Sequence, residues 1–275
     1  MPRGDRDDDD DDRPRRRRPR RDEDDDDRPR GDGGGGSKAL LVVVVVVVGG
    51  TLALGLLACA GFFLVAAPSA NAKVQAAADR AKSQNNMKQM SIGMHAQHDV
   101  NGTFQGPLAA GATVGAQSFR VGLLPYIEQD GLYKRIDLTQ AWDSAKNSPA
   151  TDTTVPGYLD LTNPASVGTA TPYRLFVGPG ALFDGGTKMP KFQDVTDGTS
   201  STILYVAATQ TVPWAKPQEL PFGPGVPLPP LGSPQADGFL VAMADGSVRY
   251  LKRTIPDADL RALITRAGGE VVNIP

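Results

Sequence analysis

Residues 39–67 form one apolar run that contains no charge, with Thr51 as its sole polar interruption. Nothing else in the chain constrains its organisation as strongly. At about 1.5 Å per helical residue the run reaches roughly 43 Å, more than the roughly 30 Å of a bilayer core, so one tilted crossing accommodates it. Val42–Val48 is a poor helix-forming stretch in water, but in hydrocarbon a single span satisfies its backbone groups only as a helix. The sequence therefore divides into a tail (1–38), a transmembrane helix (39–67) in contact with membrane lipid, and a large domain (68–275).

The tail alternates charge: Asp7–Asp12, Arg15–Arg18, Asp22–Asp27, then Arg28 and Arg30. After Met1 it has no apolar residue to seed a core, and the composition predicts a disordered polyampholyte, solvated or paired with a cytoplasmic partner. Acidic residues exceed basic ones there by roughly two, which accounts for the whole-chain formal charge of −2. The large domain is then near neutral, and no nucleic-acid partner is expected. Arg20, Arg21, Arg28, Arg30 and Lys38 precede the span and Lys73, Arg80 and Lys82 follow it, a bias that places the tail in the cytoplasm. The expected location is a bacterial cytoplasmic membrane, single-pass, with the C-terminal domain extracytoplasmic.

Three fates of the span stay open. An uncleaved signal anchor fits its length. Ala70-Asn71-Ala72 resembles a signal-peptidase site, although the run of about 29 residues far exceeds an ordinary signal core. Leu56-Leu57-Ala58-Cys59 loosely resembles a lipoprotein box, but the residues after it remain apolar. Cys59 is the single cysteine and lies within the span, so the large domain must hold together by burial alone.

Beyond the span, Val74, Ala77, Ala78, Ala81, Met87, Met90 and Met94 recur at helical spacing, and Asn101-Gly102 marks the helix end. Span and helix would together form one rod of roughly 88 Å. Val121–Ile127 and Gly131–Tyr133 suit helical turns, and the Pro- and Gly-rich stretch from about 150 to 235 suits short strands such as Ser201–Val206 and long loops. Near the C-terminus, Gly238–Ala244 and Ser247–Lys252 flank Asp245-Gly246, which predicts a tight hairpin of type I′. A final helix should begin at Pro256-Asp257, face inward through Leu260, Leu263 and Ile264, and stop at Gly268-Gly269.

Several of these segments together resemble a known family. Asn85-Asn86-Met87-Lys88-Gln89, His95, His98-Asp99 and Asn101-Gly102-Thr103-Phe104 are similar to the opening of the bacterial pilin-like family called domain of unknown function 1559. Leu124–Gln129, Trp142-Asp143-Ser144, Asp197–Ser200 with Thr202-Ile203, Val212-Pro213-Trp214 and Ala244–Arg249 follow in matching order, over about residues 70–272. The resemblance implies an α+β fold of pseudopilin type: an N-terminal transmembrane helix continuing into a long helix, and a pilin-like antiparallel sheet head with long loops. Three departures stand out. No pilin-type cleavage sequence precedes the span, Gln235 stands where the family's C-terminal signature has His, and Ala207 where related sequences carry Glu.

No Gly-x-Ser-x-Gly elbow or phosphate loop is present, and no catalytic, cofactor or metal site is expected. Candidate ligand or partner contacts are Trp142, Trp214, Asp197, Asp245, His95 and His98. His95 and His98, the chain's two histidines, lie three apart on one helical face, and either meet one metal or serve as a polar rim or helix-to-sheet hydrogen bond. Asp194, Asp197 and Asp245 are calcium ligands or turn formers, and the two tryptophans either stack on sugar or anchor a core. The expected role is non-enzymatic: envelope architecture, secretion-type assembly or surface interaction, through envelope protein partners or self-assembly. An extracytoplasmic solute- or glycan-binding module is the alternative. Because no prepilin-type sequence precedes the span, N-terminal sequencing of the membrane-extracted protein should return Met1 or Pro2; a start near Ala39 would contradict that expectation.

Overall fold

The computed structural model describes residues 71–106, 117–185 and 188–270. The tail and the apolar run of 39–67 lie outside the described residues; among those described, no helix is long and apolar enough to cross a membrane. The described residues all fall within one compact unit.

Helix α1 covers residues 71–101. Its buried side is Ser83, Met87, Met90, Ser91, Met94 and Gln97, spaced by three, four or one as a single helical face requires. It ends as expected: Gly102 takes φ +70°, and its N–H donates to His98 O at 2.7 Å. The helix forms over the expected residues, but its early apolar positions are not buried. Residues 71–77 are exposed and Val74 is 70% accessible, residues 78–79 are half-buried, and full burial begins at Ser83.

Four short helical turns follow: α2 (Phe119–Leu123), a 3-10 turn (Leu124–Ile127), α3 (Asp130–Tyr133) and α4 (Ser148–Thr151). The first three coincide with the turns read from the sequence. Strands β1 (Ala170–Arg174), β3 (Ile203–Pro213), β5 (Gly238–Met243) and β6 (Val248–Lys252) form an antiparallel sheet in the order β1-β3-β5-β6. Two short strands, β2 (Phe176–Val177) and β4 (Leu220–Pro221), pair in parallel beside it. Helix α5 (Asp257–Ile264) completes the unit. The mixed helix and antiparallel-sheet architecture agrees with an α+β class.

The sheet is buried on both faces, which explains why β5 is apolar without interruption. Tyr205 and Ala207 of β3 and Leu240 and Ala242 of β5 share a core with Met87, Met90 and Met94 of α1. Their neighbours Val206, Ala208, Phe239, Val241 and Met243 point the other way, onto Leu260, Leu263 and Ile264 of α5 and Phe176, Leu220 and Phe222 of the small sheet. Helix α5 ends at Ile264, short of Gly268-Gly269, because Thr265 turns extended and bridges to Ala181. Tertiary pairing ended the helix before the glycines did.

Two sheet tyrosines tie α1 to the sheet by its carbonyls. Tyr205 Oη donates to Met87 O, and Tyr173 Oη donates to Ser83 O at 3.3 Å and Leu159 O at 3.2 Å. Further from the helix, Arg120 is fully buried yet saturated with acceptors. It donates to Trp214 O at 2.8 Å, Tyr173 O at 2.6 Å and Lys216 O at 3.1 Å, and lies 3.3 Å from the buried carboxylate of Glu219. Burial pushes the Glu219 carboxyl up from its ordinary range, opposed by Arg120, the Leu175 N–H and Arg174. Removing the guanidinium would strand a buried carboxylate and three carbonyls. Arg120→Met should therefore lower stability by about 3–5 kcal/mol, measured by urea unfolding followed through fluorescence of the buried Trp214.

Candidate functional site

Several of the sequence motifs meet at the C-terminal end of α1. His95 Nε2 lies 2.9 Å from Ala244 O; a carbonyl only accepts, so this nitrogen carries the proton and donates. Two turns earlier, Lys88 Nζ donates to Gly246 O at 2.9 Å. Both bonds fasten α1 to the turn between β5 and β6. His95 thus makes the helix-to-sheet hydrogen bond that was one of its two sequence readings.

His98 has a different setting. Its ring packs 4.3 Å from the Phe192 centroid and 4.8 Å from that of Phe104, and His95 also touches both rings. Neither nitrogen of His98 has a hydrogen-bond partner among the described residues, and Nδ1 is 3.9 Å from Asp99. Burial pulls the imidazole pKa below its ordinary value, against the pull of Asp99 and with smaller contributions from His95 and Lys191. The pair therefore forms part of an aromatic cluster. Among the described residues no group of three or more His, Cys, Asp or Glu is placed to hold a metal.

The hairpin forms where expected, but its turn differs in type. Gly246 N–H donates to Met243 O at 2.8 Å and Met243 N–H to Ser247 O at 2.8 Å, so three residues separate the pair that closes the loop. Gly246 has φ +80°, whereas Asp245 is not among the positive-φ residues. A type I′ turn needs positive φ at both central residues; the arrangement here is the three-residue loop with glycine at the left-handed position. Asp245 Oδ1 accepts from Ser247 N–H at 2.8 Å, and Asp245 N–H donates to Thr199 O at 2.9 Å. Asp197, in the same loop as Thr199, accepts from Gly268 N–H at 2.7 Å and Gly269 N–H at 2.9 Å. Both candidate aspartates thus hold backbone turns.

Trp214 is 1% exposed, packs against Tyr158 and donates from Nε1 to Thr153 O at 2.9 Å. It is a core anchor. Trp142 is half-buried at the edge of the same core. Gln235, at the position of the family's histidine, accepts from Ser233 Oγ at 2.8 Å beside an open cleft of about 240 Å³. There Arg80 of α1 lies 4.3 Å over the Tyr250 ring, and Tyr250 Oη donates to Asp237.

A second cleft, of about 230 Å³, was missed by residue-by-residue reading. Gln89 and Met90 of α1 form one wall, Ile127, Glu128 and Gln129 another, and Val155–Gly157 a third. Gly93 permits this approach, since a Cβ there would stand 2.9 Å from Ile127 Cγ2. Both motifs that build it, Asn85–Gln89 and Leu124–Gln129, were visible in the sequence; their meeting in space was not.

Two measurements test this site. Gly246→Val should cost roughly 1 kcal/mol or more, since a β-branched residue resists positive φ, while Asp245→Asn, which keeps its acceptor oxygen, should leave the melting temperature close to wild type. A histidine buried neutral contributes stability that is present above its unfolded pKa of about 6.5 and is lost as pH falls through the lower folded value. The unfolding midpoint should therefore drop on acidification below about pH 6.5, and His98→Leu should flatten that drop.

No curated protein and no solved structure matches this chain. Residues 72–178, which run from α1 through the short helical turns and β1 to β2, match the model of the family described as protein of unknown function (DUF1559), in support of the family that the motifs resemble.

Proposed function

We propose that this protein is a non-enzymatic, membrane-anchored extracytoplasmic protein of pilin-like or pseudopilin-like architecture, acting in envelope architecture, secretion-type assembly or surface interaction. The observation that carries the reading is the division of α1. Its residues from Ser83 onward lie on an antiparallel sheet, whereas 71–77, which follow the apolar run in sequence, have no cover from the head. A helix of this kind serves as a stalk. His95, Asp245, Asp197 and Trp214 are spent on hairpin, loop and core contacts, which supports a structural use of these motifs.

Self-assembly or an envelope protein partner supplies the mechanism, with lipid contacts through 39–67. The glycan-binding alternative draws no support from Trp214, which has no free face for a sugar. Protease added to spheroplasts should digest the 68–275 domain and spare the 1–38 tail. Protection of the large domain would reject the orientation, and a cross-linked partnership restricted to cytoplasmic proteins would reject the role.

A further inference from the structure

Glu128 is the sole non-glycine residue with positive φ among the described residues, at φ 62° and ψ 25°. It ends the 3-10 turn of Leu124–Ile127 as a left-handed cap, its N–H donating to Leu124 O. Glycine or asparagine is the usual occupant of such a position, since a β-carbon there is strained. Glu128 keeps that conformation although its side chain is exposed and makes no hydrogen bond or ion pair with any described residue. The carboxylate stands on the rim of the 230 Å³ cleft, flanked by Gln89 and Gln129, whose side chains are likewise without a partner among the described residues. Met90, Ile127 and Pro156 add apolar groups to the same lining.

We propose that this cleft is a binding site for an arginine side chain presented by a protein partner. Its volume is below the roughly 300–1,000 Å³ of small-molecule sites, which suits one side chain rather than a whole ligand. The lining combines the two kinds of group an arginine requires: apolar side chains for the three-carbon stem and a carboxylate for the charged head. One carboxylate and two amide oxygens offer several acceptors, a better match to the five N–H donors of guanidinium than to the three of an ammonium. The strained backbone at Glu128 holds the carboxylate at the rim, where a glycine cap would leave none.

The proposal goes beyond the architectural role and does not depend on it. The test uses the full chain in a neutral detergent, with N-acetyl-arginine methylamide as probe and the corresponding blocked lysine as comparison, read by saturation-transfer NMR. Saturable transfer to the arginine stem methylenes is expected, with weaker transfer to lysine. Glu128→Gln preserves size and should bind at least ten-fold more weakly at an unchanged melting temperature. Glu128→Gly should also lose binding while its melting temperature does not fall, which separates a ligand role from a capping role. Absence of saturable transfer in the wild type, equal transfer to lysine, or undiminished binding by Glu128→Gln would each overturn the proposal.

Discussion

The buried guanidinium of Arg120 is the contact on which the head depends. A charge removed from water is tolerated only when it is well paired, and Arg120 donates to the carbonyls of Trp214, Tyr173 and Lys216 and lies 3.3 Å from the Glu219 carboxylate. Those acceptors come from the end of β3, from β1 and from the strand-leading loop before β4, so one side chain fixes three segments against α2. Arg174 extends the arrangement by donating to Gln218 O and Glu219 O, and Tyr158 Oη donates to Arg120 O at 2.5 Å. An apolar residue of similar volume could fill the space, but it could not satisfy the same carbonyls.

Around that hub the sheet has two unlike covers. Helix α1 meets one face through flexible methionines, whose unbranched side chains fill uneven gaps, and through tyrosine hydroxyls that bond its carbonyls. Helix α5 and the small parallel sheet cover the other face with Leu, Ile and Phe. The first cover extends beyond the sheet and the second does not. Val74, in the exposed first turns of α1, and Ile92 and Val100, farther along the helix, remain exposed apolar side chains.

The motifs that most resemble chemistry turn out to be joints. His95 and Lys88 close α1 onto the β5–β6 turn, Asp245 orders that turn, and Asp197 holds the two glycines after α5. Gln89, Glu128 and Gln129, whose side chains have no partner among the described residues, lie elsewhere, on a cleft that no single motif announces.

Local pattern was sufficient for much of the fold. The α1 periodicity from Met87 to Met94, its glycine stop, the turns around Leu124, the hairpin at Asp245-Gly246 and the inward face of α5 were all legible, because each depends on residues within a turn or two of one another. The apolar run of 39–67, whose length and composition raise the expectation of a membrane segment, lies outside the described residues. Other features were decided only by contacts between distant segments. Val74 is exposed because nothing in the described unit covers it, α5 stops at Thr265 because Ala181 pairs there, and the hairpin adopts a three-residue loop because α1 and the Thr199 loop bond its backbone. Trp214 became core, His98 entered an aromatic cluster, and Arg120 found its carbonyls for the same reason: burial and hydrogen-bond satisfaction are properties of the assembled fold, not of spacing along the chain.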